Sequence, residues 1–243
     1  MKKNVSIIIP AYNEEATIHL VLEKVLSLTF VEEVIVVNDC SVDNTEAKIK
    51  QISDSRLRYF KHEINMGKTA AIKTALTQVT SEIVIIQDAD LEYDPNEIIY
   101  LCEPIWENNA DVVFGSRFLV RKASRVLYFY HFLANKFLTF FSNLLTNKNM
   151  TDIETCYKAF RSPILVNMPI TSSGFGFEVE VTANISKTKA RIFETPISYY
   201  GRTYEEGKKI SMKDGLMAIW YIIYYNTKNQ KEYHSFVNSF LKS

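Results

Sequence analysis

The sequence predicts an α/β domain with a mostly parallel sheet that is flanked by helices. Two observations predict this fold class. Runs of consecutive apolar residues recur along the first half of the chain, which is typical of strands buried on both faces. Between these runs, apolar residues recur every three or four positions, as in helices that pack on a sheet. This alternation favours parallel strands, because each return across the sheet needs a long, usually helical, connection.

The apolar runs give the order of the elements. We predict strands at residues 5–9, 34–37, 57–60, 83–86 and 112–114. Helical spacing predicts helices between them at 18–26, 44–52 and 72–79. Asp94, Pro95 and Glu97 predict the start of another helix, as an N-cap, a first-turn proline and a capping-box acid. The second half adds a strand at about 191–199 and an apolar helix at 215–225, built onto the first half.

Composition argues against several functional classes. The 243 residues carry 28 basic and 28 acidic side chains, so net charge does not favour nucleic acid as a partner. Cys40, Cys102 and Cys156 form neither a metal-binding spacing nor a disulfide framework, which predicts a reducing, cytoplasmic location. The N-terminus runs directly into the first strand pattern, and no signal peptide is predicted.

Residues 112–151 contain no acidic residue, which indicates either a solvated face or a site for an anionic ligand or surface. Their basic residues are Arg117, Arg121, Lys122, Arg125, Lys136 and Lys148. Residues 125–145 also carry many aromatic and leucine side chains, as does a helix that lies at a membrane interface. No charge-free run of about 20 residues occurs, so we predict peripheral membrane contact and no span. The alternative is that these side chains form core or homo-oligomer contacts.

The strand at 83–86 leads directly into an acid-rich loop. Asp88 and Asp90 can both bind one divalent cation, and Glu92 can add a third oxygen. Carboxylate oxygens suit Mg²⁺ or Mn²⁺, and ligands bind beyond the carboxyl ends of parallel strands. The alternative is a solvated loop that caps the next helix. The Gly67–Lys68 step is not a P-loop, because the glycine required five positions earlier is absent.

Five segments, in this order and spacing, resemble the family 2 glycosyltransferases of the GT-A fold. More narrowly, they resemble the dolichol-phosphate mannosyltransferases and other polyprenyl-phosphate glycosyltransferases. The segments are IIIPAYNEE, VIVVNDCSVDNT, NMGKTAA, IVIIQDADLEYDP and FGSRF. The resemblance covers about residues 4–225. It implies one continuous GT-A domain, with a nucleotide-sugar-binding half at 1–118 and an acceptor-side half with amphipathic helices at 119–243.

The resemblance also implies roles for single residues. Those for the nucleotide-sugar are Pro10, Tyr12, Asn13, Glu14, Asp39, Lys68 and Asp88. Those for the metal are Asp88, Asp90 and Glu92, and those for the acceptor phosphate are Arg117, Arg125, Arg202 and Lys208. The catalytic residues implied are Asp90, Arg117, Asp152 and Glu178.

The sequence departs from the pattern of this group at three places. Glu92 stands where the group commonly has glutamine. The segment HFLAN at 131–135 keeps only Asn135 of a Ser-Arg-x-x-Asn pattern, so Arg121 or Arg125 would have to replace the missing arginine. The segment GRTYEEGKK at 201–209 carries extra acids and lacks the serine of a Gly-x-Ser-Lys-like phosphate-binding segment.

The resemblance implies an inverting, metal-dependent glycosyltransferase that moves a sugar from a GDP-mannose or UDP-glucose type of donor to a polyprenyl or dolichyl phosphate. Such a phosphate is already ionised and needs cations. The alternative acceptor is a saccharide hydroxyl in glycan or lipopolysaccharide synthesis, which needs a carboxylate base. Asp152, Glu154 and Glu178 are the candidates for that base. A sugar nucleotidyltransferase is disfavoured because PAYNEEATI has no glycine, and a non-enzymatic scaffold because the metal acids are present.

Overall fold

The computed structural model describes residues 4–119, 125–126, 128–203, 205–206 and 212–242. Within these residues the chain forms one seven-stranded sheet in the order β3-β2-β1-β4-β6-β5-β7. The strands are β1 (Val5–Ala11), β2 (Val31–Asn38), β3 (Leu57–Lys61), β4 (Ile83–Ile86), β5 (Val112–Ser116), β6 (Lys158–Arg161) and β7 (Ile192–Pro196). The α/β prediction with a mostly parallel sheet is therefore confirmed.

Helices connect and cover these strands. They are α1 (Ile18–Leu26), α2 (Thr45–Lys50), α3 (Lys68–Leu76), α4 (Ile98–Trp106), α5 (Phe129–Thr146), α6 (Ser162–Val166), α7 (Phe177–Ser186), α8 (Met212–Thr227) and α9 (Lys231–Phe240). Two short 3₁₀ helices, Pro95–Glu97 and Gly174–Gly176, lead into α4 and α7. The apolar runs of β1, β2 and β4 are buried on both faces, which explains why they lack a polar alternation.

The parallel register places several loops at the same edge of the sheet. Ile8 of β1 pairs with Ile35 of β2 and with Ile86 of β4. The chain therefore leaves β1, β2 and β4 at neighbouring points of the carboxyl edge. Backbone hydrogen bonds continue this alignment beyond the strands, from the Asp39 N–H to the Ala11 carbonyl (2.8 Å) and from the Gln87 N–H to the Ile8 carbonyl (2.9 Å).

Strand β6 was missed by the sequence analysis. It lies between β4 and β5 and is antiparallel to both, so it interrupts the parallel order. Its sequence, KAFR, is short and polar at both ends, and it begins with Lys158, which is fully buried. The Lys158 ammonium is held by the carbonyls of Ile153 (3.1 Å) and Thr155. Because β6 runs antiparallel, the segment that precedes it also reaches the carboxyl edge.

The start of the helical segment after the acid-rich loop was predicted correctly in part. Asp94 accepts a hydrogen bond from the Asn96 N–H (3.2 Å), and Pro95 occupies the first turn. The capping-box role of Glu97 was wrong. Its carboxylate accepts hydrogen bonds from the Ser198 N–H (2.6 Å) and hydroxyl (2.8 Å), and so joins this helix to the segment after β7.

Candidate active site at the carboxyl edge of the sheet

The loop after β1 is held by the loop after β2. Asn13 has a left-handed backbone (φ 53°), its N–H donates to the Ser41 hydroxyl (3.0 Å), and its side-chain oxygen accepts from the Val42 N–H (2.9 Å). The Glu14 N–H donates to the Thr45 hydroxyl (2.8 Å). These contacts fix the loop that carries the predicted nucleotide-sugar residues, and contact with the nucleotide stays a prediction for them.

Pro10 and Tyr12 flank the end of β1 on this same edge. Pro10 is half-buried within the strand, and the Tyr12 ring is exposed. An exposed ring beside the carboxyl edge can stack on a flat ligand such as a nucleotide base. Both residues therefore lie at the edge where the sequence analysis places the donor.

Asp39, at the end of β2, holds the turn that begins α3. One carboxylate oxygen accepts the Met66 N–H (2.9 Å) and the other accepts the Gly67 N–H (2.7 Å). Gly67 has φ +85°, a backbone conformation that favours glycine. His62 was missed by the sequence analysis: its Nδ1 lies 2.7 Å from Asp39 and its Nε2 lies 2.9 Å from the Thr74 hydroxyl. No sequence spacing links it to these partners.

The acid-rich loop brings Asp88 and Asp90 to the same edge, as predicted. Asp90 is half-buried, and its partial removal from water, followed by the negative charges of Asp88 and Glu92, raises the pKa of Asp90 to about 7. The loop turns at Leu91, which has a left-handed backbone (φ 60°), and the Glu92 N–H donates to Asp90 (3.1 Å). This crowding of carboxylates is unfavourable without a cation.

The donor set fits a divalent metal that shares its ligands with a substrate. Within the described ranges, no group of three His, Cys, Asp or Glu side chains is arranged to hold an ion. Mg²⁺ and similar ions are commonly bound by one or two carboxylates together with substrate phosphates. The residues that fit this role are Asp88 and Asp90. The Glu92 carboxylate has other partners, the Tyr199 hydroxyl (2.8 Å) and the Arg202 N–H (2.7 Å).

Lys68 joins the acid-rich loop to the second half of the chain. Its ammonium lies 2.8 Å from Asp88 and 3.1 Å from Glu178, and it donates to the Cys156 sulfur (3.4 Å). Burial would lower the pKa of Lys68, but Asp88, Cys156 and Glu178 outweigh burial and raise this pKa well above its ordinary value. Lys68 is therefore a fixed positive charge beside the two aspartates.

Arg117 and Asp152 form a buried, two-pronged ion pair. The guanidinium Nε and Nη2 donate to the two oxygens of Asp152 at 2.7 Å and 2.8 Å, and the Arg117 N–H adds a third bond (3.1 Å). The side chains are 12% and 0% exposed. Both oxygens of Asp152 are thus engaged by one arginine, which does not suit a free general base. In this structure Asp152 holds Arg117 in place, and its catalytic role stays a prediction.

Two other carboxylates retain unpartnered oxygens. Glu154 Oε1 and Glu178 Oε2 are buried atoms without a hydrogen-bond partner. Burial, followed by the negative charge of Glu178, raises the pKa of Glu154 to about 7. Lys158 lies in the same cluster, and burial lowers its pKa. Of the three predicted base candidates, Glu154 and Glu178 are therefore the ones with a carboxylate oxygen that no hydrogen-bond partner engages.

The remaining predicted phosphate ligands come from the second half of the sequence. Arg202 pairs with Glu14 (2.8 Å) and donates to the Asp90 carbonyl (3.1 Å), so it belongs to the site. Arg125 pairs with Glu206 (2.7 Å) on the surface, where both side chains are more than two-fifths exposed. Asn135 accepts a weak hydrogen bond from Arg117 (3.5 Å). Lys208 lies outside the described residues, as do Arg121 and Lys122.

Solved structures share this architecture. Glucosyl-3-phosphoglycerate synthase from Mycobacterium tuberculosis in complex with uridine diphosphate has a TM-score of 0.73 and 18% identity, covering 94% of this chain and 82% of that chain. The complex of that enzyme with Mn²⁺, UDP-glucose and phosphoglyceric acid has a TM-score of 0.71 and 18% identity, covering 94% and 81%. The fold class is therefore GT-A, as the resemblance implied.

The sequence model of Glycosyl transferase family 2 matches residues 6–167, which is more than half of the chain. The protein belongs to glycosyltransferase family 2.

Curated relatives are more similar in sequence. UDP-Glc:alpha-D-GlcNAc-diphosphoundecaprenol beta-1,3-glucosyltransferase WfgD of Escherichia coli is 32% identical over 123 residues, 50% of this chain and 49% of that protein. The undecaprenyl-phosphate 4-deoxy-4-formamido-L-arabinose transferase of Photorhabdus laumondii is 29% identical over 218 residues, and that of Salmonella choleraesuis is 28% identical over the same length. Both alignments cover 87% of this chain and 64% of the relative. The chain thus spans about half of the first relative and under two thirds of the other two.

Proposed function

We propose that the protein is an inverting, metal-dependent glycosyltransferase that moves a sugar from a nucleotide-sugar to a polyprenyl phosphate. The observation that carries this proposal is the meeting of two sets of charge at one sheet edge. Asp88 and Asp90 come from the donor half, and Arg202, from the acceptor half, donates to the Asp90 carbonyl (3.1 Å). Such a transfer needs carboxylates that bind a metal ion at the donor diphosphate. It also needs guanidinium groups that bind the acceptor phosphate.

On the donor side, Asp88 and Asp90 would hold Mg²⁺ or Mn²⁺. When bound, the cation neutralises the diphosphate leaving group. Lys68 supplies a further positive charge beside Asp88, at 2.8 Å. The loop of Tyr12 and Asn13 and the turn held by Asp39 would bind the nucleoside. The family resemblance implies inversion by direct in-line attack at the sugar carbon.

On the acceptor side, a phosphate monoester requires positive charge and no base. Arg117 is paired with Asp152, and its Cζ lies over the Tyr199 ring, 5.1 Å from the ring centroid. Arg202 is paired with Glu14, and the acceptor phosphate would compete with the Glu14 carboxylate for the Arg202 guanidinium. Two of the curated relatives are named as undecaprenyl-phosphate transferases, which supports this class of acceptor.

A second candidate acceptor is a sugar hydroxyl on a lipid-linked saccharide. The observation that favours it is the pair of unpartnered oxygens on Glu154 and Glu178. A carboxylate with a pKa of about 7, as for Glu154, is well matched to general-base work near neutral pH. The relative named as a glucosyltransferase acting on GlcNAc-diphosphoundecaprenol uses an acceptor of this class.

The acceptor half also carries an exposed apolar surface that suits peripheral membrane contact. We call it the aromatic surface: Phe129, Tyr130, Leu133, Phe137, Phe140 and Leu144 on α5, with Leu216, Trp220 and Ile223 on α8. On α5 these residues recur every three or four positions from Tyr130 onward, and α5 packs against α8. Exposed apolar patches of this kind on a protein surface mark contacts with membranes or with other proteins. Along the described stretches, no helix is long and apolar enough to cross a bilayer.

The membrane and the homo-oligomer remain the two partners that fit the aromatic surface. The membrane is the one proposed, because a polyprenyl acceptor is itself embedded in lipid and would be reached from the cytoplasmic face. Aromatic side chains such as Trp220 and Tyr224 are enriched where protein meets the headgroup region. Vesicle binding and oligomeric state distinguish these partners.

The proposed function is tested by a transfer assay with labelled UDP-glucose and GDP-mannose. Each donor is incubated with Mn²⁺ or Mg²⁺ and either a polyprenyl phosphate or a polyprenyl-diphosphate-linked GlcNAc. Label in the lipid fraction with the plain phosphate supports the first acceptor. Label that appears only with the saccharide-bearing lipid supports the saccharide hydroxyl as acceptor instead. If no label is transferred to either lipid, both proposed acceptors are contradicted.

The metal site is tested in the same assay with Asp90→Ala. We expect a loss of at least about 100-fold in rate, because the cation would lose one of two protein carboxylates. Asp94→Ala is the matched control in the same loop: it removes a helix cap worth about 1 kcal/mol and leaves the pair intact. Metal-dependent turnover that persists in Asp90→Ala would disprove the site.

A further inference from the structure

Glu92 joins the acid-rich loop to three residues within a four-residue segment of the acceptor half, 199–202. One carboxylate oxygen accepts the Tyr199 hydroxyl (2.8 Å) and the other accepts the Arg202 N–H (2.7 Å). The Glu92 carbonyl accepts the Tyr200 N–H (2.9 Å). One residue thus receives three hydrogen bonds from the segment 199–202, which lies more than 100 positions further along the chain.

This segment carries or supports both arginines of the site. Arg202 reaches the Asp90 carbonyl (3.1 Å) and Glu14 (2.8 Å), so it spans two donor-side loops. The Tyr199 ring lies under the Arg117 guanidinium, 5.1 Å from the ring centroid to Cζ, and is 5.5 Å from the Tyr93 ring. The position of Tyr199 therefore affects Arg117, and the backbone at residue 202 directs Arg202.

We infer that Glu92 is a positioning residue and not a ligand of the divalent cation. It fastens the segment 199–202 to the acid-rich loop and so places Arg117 and Arg202 against the reacting phosphates. This inference rests on the proposed function for its effect on turnover. It reverses the metal role that the sequence pattern suggests for Glu92. Both of its oxygens face hydrogen-bond donors from the acceptor half, and the described residues form no three-carboxylate group around an ion.

The chemistry explains why a carboxylate stands at this position. Both partners present a hydrogen to Glu92, and an ionised carboxylate accepts at both oxygens. Glutamine has one accepting oxygen and one NH₂ group. Its NH₂ group would face either the Arg202 N–H, which can only donate, or the Tyr199 hydroxyl, which can rotate and accept. The amide can therefore keep part of the contact, and alanine removes both side-chain hydrogen bonds.

The test compares Glu92→Ala, Glu92→Gln and Tyr199→Phe with Tyr200→Phe. Tyr200 is the matched control, because its side chain is exposed and only its backbone bonds to Glu92. Three quantities are measured: Mn²⁺ affinity by calorimetry in the presence of UDP, the KM and kcat for the acceptor, and the rate of tryptic cleavage after Arg202. Asp90→Ala supplies the reference for a lost metal ligand.

We expect Glu92→Ala to keep its Mn²⁺ affinity within about threefold and to lose about 10- to 100-fold in kcat/KM for the acceptor, as for loss of charge-assisted hydrogen bonds. Glu92→Gln and Tyr199→Phe should show smaller losses of about 3- to 10-fold, since each retains part of the contact. Cleavage after Arg202 should accelerate in all three variants and stay unchanged in Tyr200→Phe.

Two results would overturn the inference. The first is a fall of more than about tenfold in Mn²⁺ affinity for Glu92→Ala with Tyr199→Phe unchanged, as expected for a metal ligand. The second is unchanged cleavage after Arg202 in both Glu92→Ala and Tyr199→Phe. Metal affinity and cleavage do not require turnover, so they test the positioning role even if the transfer assay fails. Glu92→Gln, which preserves shape, provides the answer if Glu92→Ala does not fold.

Discussion

The pairing of Arg117 with Asp152 changes what each residue can do. Asp152 could be a base if its oxygens were free, but Arg117 contacts both of them, at 2.7 Å and 2.8 Å. The Arg117 guanidinium in turn lies over the Tyr199 ring, 5.1 Å from Cζ to the ring centroid. Such a pair is costly to desolvate and still more costly to break, because one charge then remains buried alone. If Arg117 binds a substrate phosphate as proposed, Asp152 would act on the reaction through Arg117.

This role predicts a loss of stability in Asp152→Ala. Because Arg117 would be left buried without its counter-charge, we expect the free energy of unfolding to fall by about 3–5 kcal/mol. Urea unfolding measures this change. Asp54→Ala is the control, since Asp54 pairs with Arg56 near the surface and its replacement should lower the free energy of unfolding by less than Asp152→Ala does. A stable Asp152→Ala protein with no turnover would instead indicate that Asp152 is the base.

At the scale of elements, the loops after β1, β2 and β4 meet because the strands are parallel and in close register. The same rule places the segment before β6 at this edge, since β6 runs in the opposite direction. Sequence periodicity identified β1, β2 and β4, whose apolar runs are uninterrupted. It did not identify β6, since a four-residue strand that starts with a buried lysine has no strand pattern.

The helices of the acceptor half present the aromatic surface, and this predicts vesicle binding. Phe140 and Leu144 are 65% and 67% exposed on one face of α5. Phe140→Ser with Leu144→Ser should weaken binding to anionic vesicles by about 30- to 1,000-fold, because each of the two side chains would lose about 1–2 kcal/mol of burial in lipid. Co-sedimentation with the vesicles measures the effect.

Leu20→Ser is the matched control for the vesicle experiment. Leu20 is an exposed apolar residue on α1, an element of the donor half, and its replacement should leave vesicle binding unchanged. The proposal of membrane contact fails if the α5 variant binds vesicles like the unmodified protein. A concentration-dependent dimer that dissociates in the α5 variant would assign the aromatic surface to a second copy of the chain.

For the whole molecule, the buried acids make stability depend on pH. Burial and Glu178 raise the pKa of Glu154 to about 7, above the ordinary value of 4.5. Between these values the folded state binds more protons than the unfolded state, so the free energy of unfolding falls as pH rises through this window. Asp90, with a pKa of about 7, contributes in the same direction when no divalent cation is bound.

We therefore expect Glu154→Gln to flatten the pH dependence of stability in metal-free buffer. The stability lost by the unmodified protein between about pH 4.5 and 7 should exceed that of the variant by up to ~3 kcal/mol. Urea unfolding at several pH values measures both curves. Glu23→Gln, at an exposed position of α1, is the control. Parallel curves for Glu154→Gln and the unmodified protein would contradict the raised pKa.

The sequence by itself determined the fold class, the family and the loop that carries Asp88 and Asp90. These depend on local signals: apolar runs, turn residues, and acids that directly follow a strand. The tertiary structure decided the partners of the site residues. Lys68 meets Cys156, 88 positions away, and Arg202 meets Glu92, 110 positions away. No periodicity records such contacts, because they arise when antiparallel β6 and the segment after β7 reach the carboxyl edge. Only that convergence shows that Asp152 and Glu92, two acids of similar chemistry to Asp90, are each engaged with residues of the opposite half, Asp152 with Arg117 and Glu92 with Tyr199 and Arg202.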